Sequence, residues 1–99
     1  MRTDYLYSSI AIRLNTLIDS AVTKLGTPYT GEKFRPSVDW RLDNASSKIN
    51  DLTTYLEASG VITSSESKLF GDSEDWIYSQ GDLYVTILES GLDAYTPPP

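Results

Sequence analysis

Histidine and cysteine are both absent from this 99-residue chain. Without histidine there is no Ser-His triad, no imidazole metal ligand, no His general base and no near-neutral protonation switch. Without cysteine there is no disulfide framework, no thiolate nucleophile and no Cys-ligated metal, so the redox compartment is left open. No apolar run approaches the roughly 18 residues of a membrane span. The N-terminal MRTDYLYSSI is broken by Asp4 and two serines and lacks the apolar stretch of a signal peptide. The chain is therefore not expected in a membrane or on the secretory route, which is consistent with the cytoplasm or a virion. Phosphate-cradling glycine loops are missing too.

Positive charge is missing from the last third. Residues 1–68 balance eight Lys/Arg against eight Asp/Glu, and beyond Lys68 come only Asp72, Glu74, Asp75, Asp82, Glu89 and Asp93, which account for the net charge of −6. An end of that sign repels nucleic acid and suits either solvent or a basic protein surface. The cluster Asp72-Ser73-Glu74-Asp75 lacks the alternating ligands and closing Glu of a calcium loop, and reads as the capped start of a helix. Carboxylate pairs such as Asp39 with Asp43, or Asp72 with Glu74, could be cast as a glycosidase pair, but nothing singles them out from other surface acids. No catalytic residue, metal or cofactor is assigned, and the chain is expected not to be an enzyme. Asn44-Ala45-Ser46 fits a glycosylation acceptor but reads as helix.

What the chain does have is helical periodicity. Over residues 3–25, Leu6, Ile10, Leu14, Leu17, Ile18, Ala21, Val22 and Leu25 share an arc of roughly 160°, broad enough for two neighbours. Thr3 or Asp4 can cap this helix and Gly26 can end it, with Lys24 near its negative end. A loop, GTPYTGEKFRPS, follows over 26–37. A second helix is expected from near Ser37 or Asp39 to Ser59, with Leu42, Ala45, Ile49, Leu52 and Leu56 on a stripe of roughly 80°, which makes it peripheral. Trp40 either staples its entry or is exposed. A short helix over 65–70 comes next.

DLYVTILESGL, Asp82 to Leu92, is β-branched at its centre and could form the second strand of a hairpin over 76–88. Two features favour a helix: Trp76, Ile77, Gln80, Leu83, Tyr84, Ile87 and Leu88 share an arc of roughly 140°, and the segment echoes DLTTYLEASGV at Asp51 to Val61. Gly81 is the expected break and Gly91 the expected end. The fold class is thus mainly α, a domain of three to four helices over 1–92 with an extended Pro-rich tail over 93–99; the alternative is α+β with the C-terminal hairpin.

The aromatic residues are the candidates for contact, since such side chains are enriched at interfaces. Tyr5, Tyr29, Tyr78 and Tyr95 are expected outside the core. The protein-interaction residues assigned are Tyr29, Phe34, Arg35 and Trp40 in and after the loop, and Asp93, Tyr95, Pro97, Pro98 and Pro99 in the tail. The function expected is that of a non-enzymatic structural subunit, in a homo-oligomer or hetero-assembly, with viral necks, connectors and cement proteins as one setting. The alternative is a free acidic binding module, such as an adaptor, chaperone or inhibitor, that docks on a basic protein surface.

Overall fold

The amphipathic segments form four helices, α1 (Arg2–Leu25), α2 (Ala45–Ser59), α3 (Ser64–Gly71) and α4 (Trp76–Ala94). The computed structural model describes residues 2–36, 39–71 and 76–97, with side-chain detail at 7–36, 39–67 and 80–97. No strand occurs among the described residues, so the fold is mainly α. The hairpin alternative is overturned, because 76–88 lies within α4. The expected Ser73 cap lies outside the described residues, as do the side chains of Tyr5 and Tyr78.

On α1 the buried face is Tyr7, Ile10, Ala11, Leu14, Leu17, Ile18 and Ala21. Fully burying each large aliphatic side chain of this kind contributes roughly 1.5–3 kcal/mol. The helix already includes Thr3 and Asp4 in its first turn, so neither caps it. It ends at Gly26, whose φ of 71° is left-handed and whose N–H donates to the Val22 carbonyl at 3.0 Å. Lys24 acts on another helix than expected: its ammonium donates to the carbonyls of Leu92 and Asp93 and closes α4.

The three long helices run in the same sense. At their starting end Tyr7 of α1 meets Asp43, just ahead of α2, and at their finishing end Leu25, Ala58 and Tyr95 line one groove. Between α2 and α4 the Thr53 and Tyr84 hydroxyls lie 3.2 Å apart, and further on Gly91 sits against the Val61 carbonyl. Neighbours of the same sense cannot be joined by a tight turn, so each link must travel back along the bundle. The 24 residues of α1 cover about 36 Å at 1.5 Å each. An extended chain needs on the order of 11 residues to return that far.

Residues 26–36 are that return. They descend along α1, with Lys33 paired to Asp19 at 2.5 Å and Phe34 held by Asn15. Asn15 grips one residue at both polar groups, its Oδ1 accepting from the Phe34 N–H at 2.8 Å and its Nδ2 donating to the Phe34 carbonyl at 2.9 Å. The loop that supplies Tyr29, Phe34 and Arg35 as expected interaction residues is thus held largely against its own chain.

The second helix begins later than periodicity indicates. Residues 40–44 form turns, the Asp39 carboxylate accepts from the Arg41 N–H at 3.2 Å, and Asn44 is left-handed at φ 57° before Ala45 starts the helix. This local bond from Asp39 competes with helix initiation. Its consequence is that Leu42, placed by its spacing on the apolar stripe, is 77% exposed. Nor is α2 peripheral, because Lys48 and Thr53 are buried on either side of Ala45, Ile49, Leu52 and Leu56. They widen its buried arc to roughly 140°.

Gly60 closes α2 with φ 88°, while the Gly60 and Val61 N–H groups donate to the Glu57 and Leu56 carbonyls at 3.0 and 2.9 Å. That Schellman geometry strongly favours glycine. A reciprocal capping box then starts α3: the Thr63 N–H donates to Glu66 Oε1 at 2.8 Å and the Glu66 N–H to Thr63 Oγ1 at 3.2 Å.

Within α4 the helix kinks at Gln80, where φ is −133°, one residue before the expected break at Gly81. Gly91 does not stop the helix, which continues through Asp93 to Ala94. Its role is close packing, since a Cβ there would stand 3.2 Å from the Val61 carbonyl oxygen. The two echoing segments are therefore neighbours lying side by side.

A buried polar knot holds the starting end. The Asp43 carboxylate accepts from the Tyr7 hydroxyl, from the Lys48 ammonium and, at 2.9 Å, from the Arg35 N–H. Four segments meet at this one residue, which is 3% exposed. Burial, and then the Asp43 carboxylate, push the Tyr7 phenol far above its ordinary pKa.

On the surface, Arg13 of α1 reaches three residues on one face of α4. It holds Glu89 through Nη2 at 2.6 Å and Nε at 3.2 Å, Asp82 at 2.7 Å and Thr86 at 3.2 Å. Part of the acidic excess is thus answered inside the chain. Because these groups are partly solvated, Arg13→Ala is expected to cost about 1 kcal/mol. Denaturant titrations should show that difference shrinking at high salt; a difference that does not change with salt would mean that packing, not charge, carries it.

Candidate functional site

The finishing ends of α1, α2 and α4 come together around Tyr55. One shallow groove of about 250 Å³ is lined by Leu25, Thr27, Tyr55, Ala58, Ser59 and Tyr95. A second, of about 360 Å³, lies along α2 between it and the start of the return segment, lined by Tyr29, Gly31, Asp51, Tyr55 and Ala58 among others. The two meet at Tyr55 and Ala58.

Local geometry fixes the aromatic walls. The Tyr55 hydroxyl donates to the Thr27 carbonyl at 2.6 Å, which pins the loop to α2. Tyr29 packs edge-on against Tyr55 with ring centroids 5.0 Å apart and planes at 73°. Gly31 leaves room for this, since a Cβ there would collide with the Tyr29 hydroxyl at 2.5 Å. The Tyr29 hydroxyl is itself buried without a hydrogen-bond partner among the described residues. Burial first, then the Asp51 carboxylate and Tyr55, push its pKa up to about 12. Burial also raises that of Tyr55.

The electrostatics at this end follow from backbone direction. Three helix C-termini of the same sense converge here, each bringing the negative end of its dipole. Asp51 and Asp93 add exposed carboxylates to the groove wall and the last turn of α4. The opposite end carries Arg35 and Arg41, both exposed and in no ion pair among the described residues, and between Arg41 and Asp43 the exposed Leu42.

Of the contact residues read from the sequence, Tyr29 and Tyr95 line two adjoining grooves that meet at Tyr55 and Ala58. Phe34 and Trp40 lie in the core, 3% and 6% exposed. Trp40 staples the entry to α2, with the Arg41 guanidinium 5.2 Å from its ring. Arg35 lies at the other end, and Asp93 belongs to α4 instead of the tail. Tyr95 to Pro97 leave the helix, with Pro97 exposed; Pro98 and Pro99 lie outside the described residues.

Sequence reasoning missed Tyr55, Asp51, Ala58 and Leu42. A signal was present for Tyr55 and Ala58, an aromatic and an apolar residue on α2 outside its apolar stripe.

Among the described residues no cluster of three or more acids gathers to hold a metal, and no helix is long and apolar enough to cross a membrane. No protein-family model, curated protein or solved structure matches the chain.

Proposed function

We propose that the protein is a non-enzymatic structural subunit of a larger protein assembly, a viral neck, connector or cement layer being one setting. The observation that carries this reading is the pair of adjoining grooves, one walled by Tyr29 and Tyr55 and the other by Tyr55 and Tyr95. Tyrosines give large contact area at low entropic cost and keep a polar tip for the partner, the composition of a protein-binding surface. The exposed Leu42 and Leu83 add apolar contact area elsewhere on the chain.

The acidic-module reading draws on the negative finishing end. It is weakened because Arg13 and Lys24 already answer part of that charge.

The test is the native mass of the protein in an extract of its own source. The expected result is a particle several-fold heavier than the 11.0 kDa chain, which falls in mass when exposed Ala58 is changed to Arg. A monomer-sized species that captures basic protein in a salt-sensitive way would overturn the assembly reading in favour of the acidic module.

A further inference from the structure

We infer that the partner at the groove along α2 is a second copy of this chain, bound head to tail, with Leu42 and its flanking Arg41 and Arg35 seated between Tyr29 and Tyr55 beside Asp51. The inference rests on the assembly reading and names its first contact. Three features carry it.

The first is complementarity of charge along the long axis. The molecule measures 46 × 24 × 20 Å, and its three long helices point their N-termini to one end and their C-termini to the other. Antiparallel bundles cancel their dipoles; this arrangement adds them. Arg35 and Arg41 reinforce the positive end, Asp93 lies at the negative one, and Asp51, midway along α2, sets a carboxylate on the wall of the groove beside Tyr29 and Tyr55.

The second is complementarity of shape and polarity. Leu42 is 77% exposed, the most exposed large apolar side chain among the described residues. It stands on a turn fixed from below by the buried Asp43 and left-handed Asn44. A rigid apolar knob flanked by guanidiniums matches a groove walled by the Tyr29 and Tyr55 rings and Ala58, with the Asp51 carboxylate at its side.

The third lies on the receiving side. Tyr29 and Tyr55, packed edge-on with ring centroids 5.0 Å apart, wall the groove with half-buried aromatic rings, the kind of side chain enriched where a partner binds.

Knob and groove lie at opposite ends of α2, so the contact is heterologous: each copy keeps one free knob and one free groove. Repetition closes a ring if the rotation allows, and otherwise extends a filament.

The experiment uses the purified full chain in sedimentation velocity over a range of concentration and salt. Leu42→Glu blocks the knob and Ala58→Arg blocks the groove; both positions are exposed, and thermal melts verify that each variant folds. The wild type is expected to grow in mass with concentration, less so at high salt, while each variant alone is weakened by tenfold or more. An equimolar mixture of the two should form a 1:1 dimer and nothing larger, because one intact knob meets one intact groove.

A wild type that stays monomeric throughout overturns the inference. So does a variant that still associates alone, as a two-fold symmetric contact elsewhere would, or a mixture that stays monomeric. A heavy particle in the native extract combined with a monomeric purified chain would overturn self-association and leave the assembly reading standing on a different partner.

Discussion

Asp43→Ala is expected to lower the unfolding free energy by about 3–5 kcal/mol, the usual cost of breaking a buried ion pair from one side. The variant leaves the Lys48 ammonium, the Tyr7 hydroxyl and the Arg35 N–H without their shared acceptor. Lys48 is the decisive member, because its side chain is only 8% exposed and that of Asp43 is 0% exposed. Domains of this size have about 5–15 kcal/mol in total, so the melting temperature should fall by roughly 10 °C or more. Chemical denaturation read by circular dichroism measures it. Adding Lys48→Met to Asp43→Ala should recover a large part of the loss, since the stranded charge is then gone. A single variant within about 1 kcal/mol of wild type would mean that the knot is solvated and contributes little. The contrast with Arg13→Ala comes from burial alone: both remove charge-assisted hydrogen bonds, but only one leaves a charge out of water.

Alkaline unfolding is the second large effect. Burial is the first cause of the raised pKa at Tyr7, Tyr29, Tyr55 and Tyr84, and it favours the neutral phenol in the folded chain. A group whose folded pKa stands above its unfolded value supports the fold fully below the unfolded value, about 10 for tyrosine, and loses that support as pH rises through the folded value. The window opens near pH 10 and runs to about 12 at Tyr29, with Tyr7 and Tyr84 displaced further still. The expected result is a cooperative loss of helicity above pH 10, accompanied by a step of tyrosinate absorbance. With no histidine, no imidazole adds pH dependence near neutrality. Tyr7→Phe should lower neutral stability by about 1.5–3 kcal/mol through its lost bond to a carboxylate, while losing less on going alkaline. Smooth tyrosine titration near pH 10 with full helicity retained would show that these rings are not held from water.

The helical fold was legible where side chains repeat on one face. The arc of α1, the Gly26 and Gly60 stops and the helical course of Asp82 to Leu92 all follow from spacing and local backbone preference. Gly91 misled because the same Ser-Gly pair can end a helix or let two helices touch, and only the neighbour decides. In α2, Lys48 flanks the apolar stripe, yet its residue type alone assigns it to the solvent side. Its burial depends on Asp43 and Tyr7 arriving from other segments, and no local pattern encodes that meeting.

The interaction residues were less legible for a related reason. Phe34 sits in the 26–37 loop and Trp40 just after it, where no periodicity marks burial, yet the helix direction obliges the loop to run back along α1 and carries Phe34 into the core. Tyr29 and Tyr95, 66 positions apart in the chain, wall two grooves that adjoin at Tyr55, because Tyr29 follows the end of α1 and Tyr95 the end of α4.

That common direction also governs how the chain can fold. An up-and-down bundle forms its first helix pair as a hairpin, with contacts close in sequence. Here Arg13 must wait for Asp82 and Glu89, and Lys24 for Leu92, so α1 finds its α4 partner only when nearly the whole chain is available. Such distant contacts move a small helical protein from the microsecond end of the folding range towards milliseconds. During synthesis, the broad apolar face of α1 would meanwhile have only the return segment and α2 to cover it.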